Sequence, residues 1–205
     1  MNNINFTILT IVVFLMWTSC NEKPTSPYLL GISNCNMIKD MVNNGDKSLI
    51  KFYAKPLCIV GYQMPEFLAH TINGKSIDIN YFKGKITILN FWFSNCQPCV
   101  AEIPGFNNIV QKYGNVKVNY LGICLDQAHD IDTFLQNHKW SFEQIGDGEN
   151  LIKNIFKIEW GFPTTFIIDT NAKIIDAFSG GRVDNLAVDE LVNRIESRLD
   201  KENMN

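Results

Sequence analysis

An unbroken β-prone run, Ile86-Thr87-Ile88-Leu89-Asn90-Phe91-Trp92-Phe93, leads into Cys96-Gln97-Pro98-Cys99, after which Ile103, Phe106, Ile109 and Val110 recur at helical spacing. A run of this kind is the pattern of a strand covered on both faces. The spacing that follows predicts a helix over 100–113, closed by Gly114 and kinked at Pro104. The thiol pair therefore sits where a buried strand hands over to a helix. There it meets unpaired backbone N–H groups and the positive end of the helix dipole, both of which favour thiolate over thiol. A free thiol titrates near ~8.5, and CxxC cysteines so placed fall to roughly 3.5 to 7.5. Two intervening residues bring Cys99 within reach of Cys96, so a mixed disulfide formed at Cys96 can be resolved by Cys99. Pro98 suits the first turn, where its missing N–H costs little. The alternatives are a static disulfide or half a zinc site. A zinc site needs a second ligand pair, and the sequence has no other CxxC and no HxxxH.

The rest of the chain extends this strand-helix unit. Phe67 to Ile72 and Ser76 to Ile79 flank Asn73-Gly74, a dipeptide that supplies positive φ at both central turn positions, so a β-hairpin is expected. Val116 to Leu125 reads as a second buried strand, Asp130 to His138 as a helix, Ser141 to Ile145 as extended, and Glu149 to Phe156 as a short helical piece. Thr164 to Asp169 and Lys173 to Phe178 form a hairpin around 170–172. A final amphipathic helix spans Asp184 to Lys201, with Leu186, Val188, Leu191, Val192, Ile195 and Leu199 on its apolar face. Strand, helix, strand in this order implies a right-handed βαβ crossover in a mostly parallel sheet, hence an α/β fold.

The N-terminus carries an address. Phe6 to Trp17 is almost wholly apolar over twelve residues, the length of a signal-peptide core and too short to cross a bilayer comfortably. Trp17-Thr18-Ser19-Cys20 resembles a bacterial lipobox, in which Cys20 is acylated and becomes the new N-terminus. Trp17 stands where lipoboxes have Leu, and the first charged side chain is Glu22. A plain signal peptide or an uncleaved anchor are the other readings. All three place the remainder outside the cytoplasm, as a bacterial cell-envelope protein facing the periplasm or cell exterior. The expected organisation is a signal peptide over 1–19, a tether and short extension over 20–60, and one domain over 61–205. The tether reading rests on Pro24 and Pro27 among polar residues; Lys47 to Tyr53 alternates like a strand until Pro56 interrupts it.

Composition supports one packed domain: 46% of the 205 residues are hydrophobic and 19% charged. A net charge of -3 with no basic run excludes a nucleic-acid surface. Six cysteines are too few to build a disulfide miniprotein at this length, so each needs its own explanation. In an oxidising compartment Cys35 and Cys58 can bridge and pin the extension, although spacing alone does not establish the pair. Cys124 reads as a buried thiol at the end of a strand beside the one leading to the CxxC, and His129 and His138 as surface residues.

The segment Phe91-Trp92-Phe93-Ser94-Asn95-Cys96-Gln97-Pro98-Cys99-Val100-Ala101-Glu102-Ile103-Pro104 resembles the active site of thioredoxin-like proteins of the TlpA/ResA type within the AhpC/TSA-redoxin superfamily. Gly161-Phe162-Pro163-Thr164-Thr165-Phe166-Ile167-Ile168-Asp169 is similar to that family's GxPTTFxID stretch, and Met64 to Phe67 and Phe82 to Lys85 also fit. The resemblance covers roughly residues 61 to 200. It implies a thioredoxin-like fold, a mixed central sheet flanked by helices with an N-terminal β-hairpin. It implies a thiol-disulfide oxidoreductase that exchanges its Cys96-Cys99 disulfide with cysteines of exported proteins, as a reductant, with apocytochrome c among the clients. An upstream thiol-disulfide electron donor or acceptor would serve it, and neither cofactor nor metal is called for.

By position, Cys96 would be the exposed nucleophile and Cys99 the buried resolving thiol. A cis Pro163 would leave the Phe162 backbone free to pair with an extended substrate; Trp92 is taken with Phe162 as a substrate-side candidate, and with Phe91 as core under the site. Asn90 occupies the place where thioredoxins carry a buried Asp, and Asn cannot accept the resolving thiol's proton. Glu102, one turn beyond Cys99, is the candidate proton relay if its pKa is raised, or else a solvated helix residue. A peroxiredoxin would need Thr or Ser at position 93 and Pro at 89, where Phe93 and Leu89 stand. A Sco-type copper carrier uses CxxxC plus a remote His, so His129 would have to compensate for the shorter spacing.

Overall fold

The computed structural model describes residues 26–35, 38–44, 47–53, 56–184 and 186–203. The expected signal peptide and Cys20 lie outside the described residues.

In chain order, helix α1 (Pro27–Ser33) precedes an antiparallel pair, β1 (Ile38–Asn44) and β2 (Lys47–Tyr53), and a 3-10 turn over Pro56–Ile59. A short hairpin, β3 (Ala69–His70) and β4 (Ser76–Ile77), leads to β5 (Ile86–Trp92), α2 (Gln97–Tyr113), β6 (Val118–Cys124), α3 (Ala128–Asn137) and β7 (Glu143–Ile145). A π-helical turn over Leu151–Ile155, strands β8 (Thr164–Ile168) and β9 (Ile174–Ser179), and α4 (Ala187–Asn203) complete the chain. The main sheet has the order β7-β6-β5-β8-β9. Strand β5 runs parallel to β6, and β6 to β7, whereas β8 is antiparallel to both β5 and β9. The sheet is therefore mixed, as the family resemblance implies, and not mostly parallel as the strand-helix-strand order alone suggests.

All seven residues of β5 are buried, because both faces of the sheet are covered. Leu89 and Phe91 point into one core with Phe156, Phe166 and Ile77, while Ile88 and Trp92 point into the other with Phe106, Ile109, Leu191 and Ile195. This is the period-2 alternation of a strand, apolar on both sides. Helix α4 packs against α2 so closely that a Cβ on Gly105 would lie 3.1 Å from Leu191 Cδ2. Leu186, assigned to the apolar face of the last helix, precedes it and is exposed. Helix α2 runs unbroken through Pro104.

Two further expectations are corrected. Residues 27–33, read as part of a tether, form a helix capped by Ser26, whose side chain accepts the Leu29 N–H. Tyr28 is fully buried and its hydroxyl donates to the Phe156 carbonyl at 2.7 Å, so this segment belongs to the core of the domain. In the β3–β4 hairpin only Gly74 of the Asn-Gly pair has positive φ, at 81°. The Gly74 N–H donates to the Thr71 carbonyl, closing a three-residue loop with a left-handed glycine instead of a two-residue turn.

Candidate active site

Cys96 is the N-cap of α2, its Sγ accepting the Cys99 N–H at 3.3 Å, and Cys96 and Cys99 are joined in a disulfide with Cα atoms 5.2 Å apart. This cap is why the helix begins three residues before the periodicity shows it. Cys96 is 5% exposed and Cys99 1%. The order of exposure is as expected, but Cys96 is not an open nucleophile in the oxidised protein. Asp126, at the end of β6, fixes the approach to it: its Oδ2 accepts the Ser94 N–H at 2.6 Å. The same oxygen lies 3.5 Å from the Cys124 Sγ, and burial pushes that thiol up, so it stays protonated and donates.

Trp92 is fully buried, so its expected substrate-side role is corrected. Its Nε1 donates to Gln144 Oε1 at 2.9 Å and its ring packs on Trp140 and Phe134, which places it in the core beneath the disulfide, beside Phe91 in the opposite layer. Asn90 is also buried, and its amide donates to Thr165 Oγ1 at 2.9 Å, tying β5 to β8.

The Phe162–Pro163 peptide is cis. Pairing of β8 with its neighbours begins at Thr164, so Phe162 stands ahead of the ladder. Its ring, half-buried, meets Phe93 edge-on at 5.4 Å. The Pro163 carbonyl accepts the Gly180 N–H at 2.8 Å, which joins the β8 and β9 ends. Gly181 then brings three elements together: a Cβ there would lie 2.7 Å from Glu102 Oε1, 3.0 Å from Pro163 Cγ and 3.1 Å from Pro98 Cβ. The CxxC helix, the cis proline and the carboxylate one turn beyond Cys99 thus converge on one point.

Glu102 is 4% exposed, so it is no solvated helix glutamate. Among the described residues its Oε2 has no hydrogen-bond partner, and burial pushes its carboxyl up to about 8. It borders a cavity of about 300 Å³ shared with Phe178, Arg182 and Arg194. Asp126 and Gly181 escaped notice in the sequence: the first is one acid after a strand, the second one glycine in a pair, and only the fold carries them to the thiols. His129 is exposed on α3, bonded to Asp130, and Phe93 and Leu89 are plain sheet and rim residues.

The profile of the AhpC/TSA family matches residues 60–177, a span that holds both the disulfide and the cis proline. The chain belongs to the AhpC/TSA family. Within it, the chain is 32% identical over 123 residues to the thiol-disulfide oxidoreductase ResA of Bacillus thuringiensis subsp. konkukian, covering 59% of this chain and 70% of that protein. ResA of Bacillus subtilis is 24% identical over 139 residues, 67% of this chain and 77% of that one. Among solved structures, a protein described as the thiol:disulfide interchange protein DsbE of Chlorobium tepidum superposes with a TM-score of 0.58 at 25% identity, over 67% of this chain and 95% of that one. This AhpC/TSA member is a thiol-disulfide oxidoreductase of the TlpA/ResA type with a thioredoxin-like fold. Among the described residues no helix is long and apolar enough to cross a membrane.

Proposed function

We propose that this protein is a reductant of the bacterial cell envelope, passing electrons from an upstream thiol-disulfide donor to disulfides in exported proteins, including those whose cysteines must be free for haem attachment. The buried Glu102 carboxyl, one turn beyond Cys99 and brought with Pro98 and Pro163 around Gly181, carries the reading. In the forward step the Cys96 thiolate attacks a client disulfide; a mixed disulfide forms and one client thiolate leaves. Cys99 then gives its proton to Glu102 and attacks the Cys96 sulfur. The second client thiolate departs, the Cys96-Cys99 disulfide forms, and two electrons have passed to the client. The oxidised protein described above is the product of this half-cycle. A carboxyl held up to about 8 accepts and returns such a proton near neutral pH, the service Asn90 cannot provide.

Phe162, ahead of the β8 ladder and beside the cis Pro163, is the site at which an extended client strand would pair, a short β-augmentation. Acylation of Cys20 would hold the domain close to the membrane, since the six backbone steps from Cys20 to Ser26 span at most about 20 Å. The deciding experiment combines two measurements. A midpoint potential near about -270 mV for the Cys96-Cys99 pair marks a reductant, and one near about -120 mV an oxidant, which would overturn the direction proposed. A Cys99→Ser variant, which cannot resolve, should trap the client as a mixed disulfide at Cys96.

A further inference from the structure

A concavity of about 730 Å³ crosses the first two turns of α2, and the exchange chemistry makes no use of it. Gln97 and Val100 of α2, Phe134 of α3 and its C-cap His138, and Val183 line it, and at one end Asn95 brings it to the rim of Cys96. Val183 is 66% exposed and Leu186 52%, both on the segment that follows β9. Residues 181–184 are held in place. Gly181 is wedged against Pro98, Pro163 and Glu102, and the Arg182 guanidinium is bonded to Asp184 and, at 3.2 Å, to Glu190 of α4. Val183 therefore presents an apolar side chain to solvent from a held position in the groove that reaches the rim of Cys96, apolar surface that stays in water unless a partner covers it.

The occupant follows from continuity with the thiol site. Cys96 is only 5% exposed, so a client sulfur reaches it only when the client's flanking residues lie against the rim. On one side that rim is Phe162; on the other it is this groove. Its lining combines neutral amides and hydroxyls, from Asn95, Gln97 and Thr133, with the apolar Val100, Phe134 and Val183. Among the described residues its charged or ionisable side chains are Asp130 and His138, with no lysine or arginine. Such a lining takes an extended polypeptide by its amides and one apolar side chain, and disfavours an acidic one next to Asp130. The volume lies within the roughly 300–1,000 Å³ of sites that enclose small ligands, enough for a few residues of a client.

We propose that this groove is a client-docking site that selects an apolar side chain close to the client cysteine, with Val183 as its specificity-determining residue. The inference rests on the thiol-disulfide exchange reading and names the kind of client that reading leaves open. It is tested with fluorogenic disulfide peptides that differ only at the residue two positions from the cysteine, placed on either side in turn, as Leu, Ala or Glu. The wild-type reduced protein should reduce the Leu peptide about tenfold faster than the Glu peptide on one of the two sides, as expected for burial of a Leu-sized side chain. Val183→Asp, at an exposed position where folding is undisturbed, should bring that ratio to within about twofold while leaving reduction of oxidised glutathione unchanged. Equal rates for all wild-type substrates, or a preference that survives Val183→Asp, would overturn the groove. Failure of the wild type to reduce oxidised glutathione would instead sink the exchange reading beneath it.

Discussion

Gly181 stands so near Glu102 that a methyl group on residue 181 would sit 2.7 Å from the Glu102 Oε1, between the Pro98 and Pro163 rings. The glycine serves close approach, since its backbone does not adopt positive φ. Gly181→Ala must therefore push the carboxyl or one of the two rings aside. Overpacking of this kind destabilises by about 1–3 kcal/mol. Chemical denaturation should show that loss, and exchange with oxidised glutathione should slow because the displaced groups are those that frame the disulfide. A variant with wild-type stability and rate would show that the three elements have room to spare.

The Glu102 carboxyl is held up to about 8 against an ordinary value of 4.5, so the native state keeps a proton that the unfolded chain loses above about 4.5. The stability this contributes is complete below about 4.5 and is lost as pH rises through about 8, at up to about 1.4 kcal/mol per pH unit. Glu102→Gln should flatten this slope, measured as Tm between pH 5 and 9, and should be more stable than wild type at the alkaline end. It should also slow resolution of the mixed disulfide by up to about 100-fold, the lower range of general acid-base catalysis. An unchanged rate and pH profile for Cys99 would remove Glu102 from the proton path.

Asp126 holds the Ser94 N–H at 2.6 Å and faces the Cys124 thiol, two residues of backbone away from Cys96. Asp126→Ala leaves that N–H without its acceptor, at a cost of about 1–3 kcal/mol, and frees the loop in front of the disulfide. Asp126→Asn keeps an acceptor but removes a negative charge near the thiolate. It should restore stability and lower the Cys96 pKa, read as faster alkylation of reduced Cys96 at about pH 6. A purely structural role would lower the stability of Asp126→Ala alone and move the pH profile of neither variant.

The strand and the CxxC are legible because their signals are local, a β-prone run, two thiols and a proline within one short stretch, whereas the first turn of α2 is set by the Cys96 cap and not by periodicity. The GFPTTFIID segment was legible for the same reason, and Pro163 is indeed cis. What escaped depends on residues far apart in sequence. Burial of Tyr28 depends on Phe156, 128 positions away, so Pro24, Pro27 and their polar neighbours read as a tether. The burial of Glu102 depends on Gly181 and Pro163, which no helical periodicity around residue 102 reports. Trp92 is ambiguous in the sequence because an aromatic beside a CxxC suits either a rim or a core. Its hydrogen bond to Gln144 across the sheet assigns it to the core.

The bond between Cys35 and Cys58 closes a segment with a sequence separation of 23 and joins the end of α1 to the turn over Pro56–Ile59. Loop closure of that length restricts the unfolded chain by roughly 3 kcal/mol. The bond also fixes the helix that carries Tyr28, whose hydroxyl bond to Phe156 contributes about 1 kcal/mol. A Cys35→Ser/Cys58→Ser double variant should lose about 3 kcal/mol in denaturant titration. Tyr28→Phe should lose about 1 kcal/mol. Neither change touches the thiol site, so the midpoint potential of the Cys96-Cys99 pair should stay where it is in the wild type. A shift of that potential in the double variant would mean that the two disulfides exchange electrons, and that the second is part of the redox circuit instead of a staple.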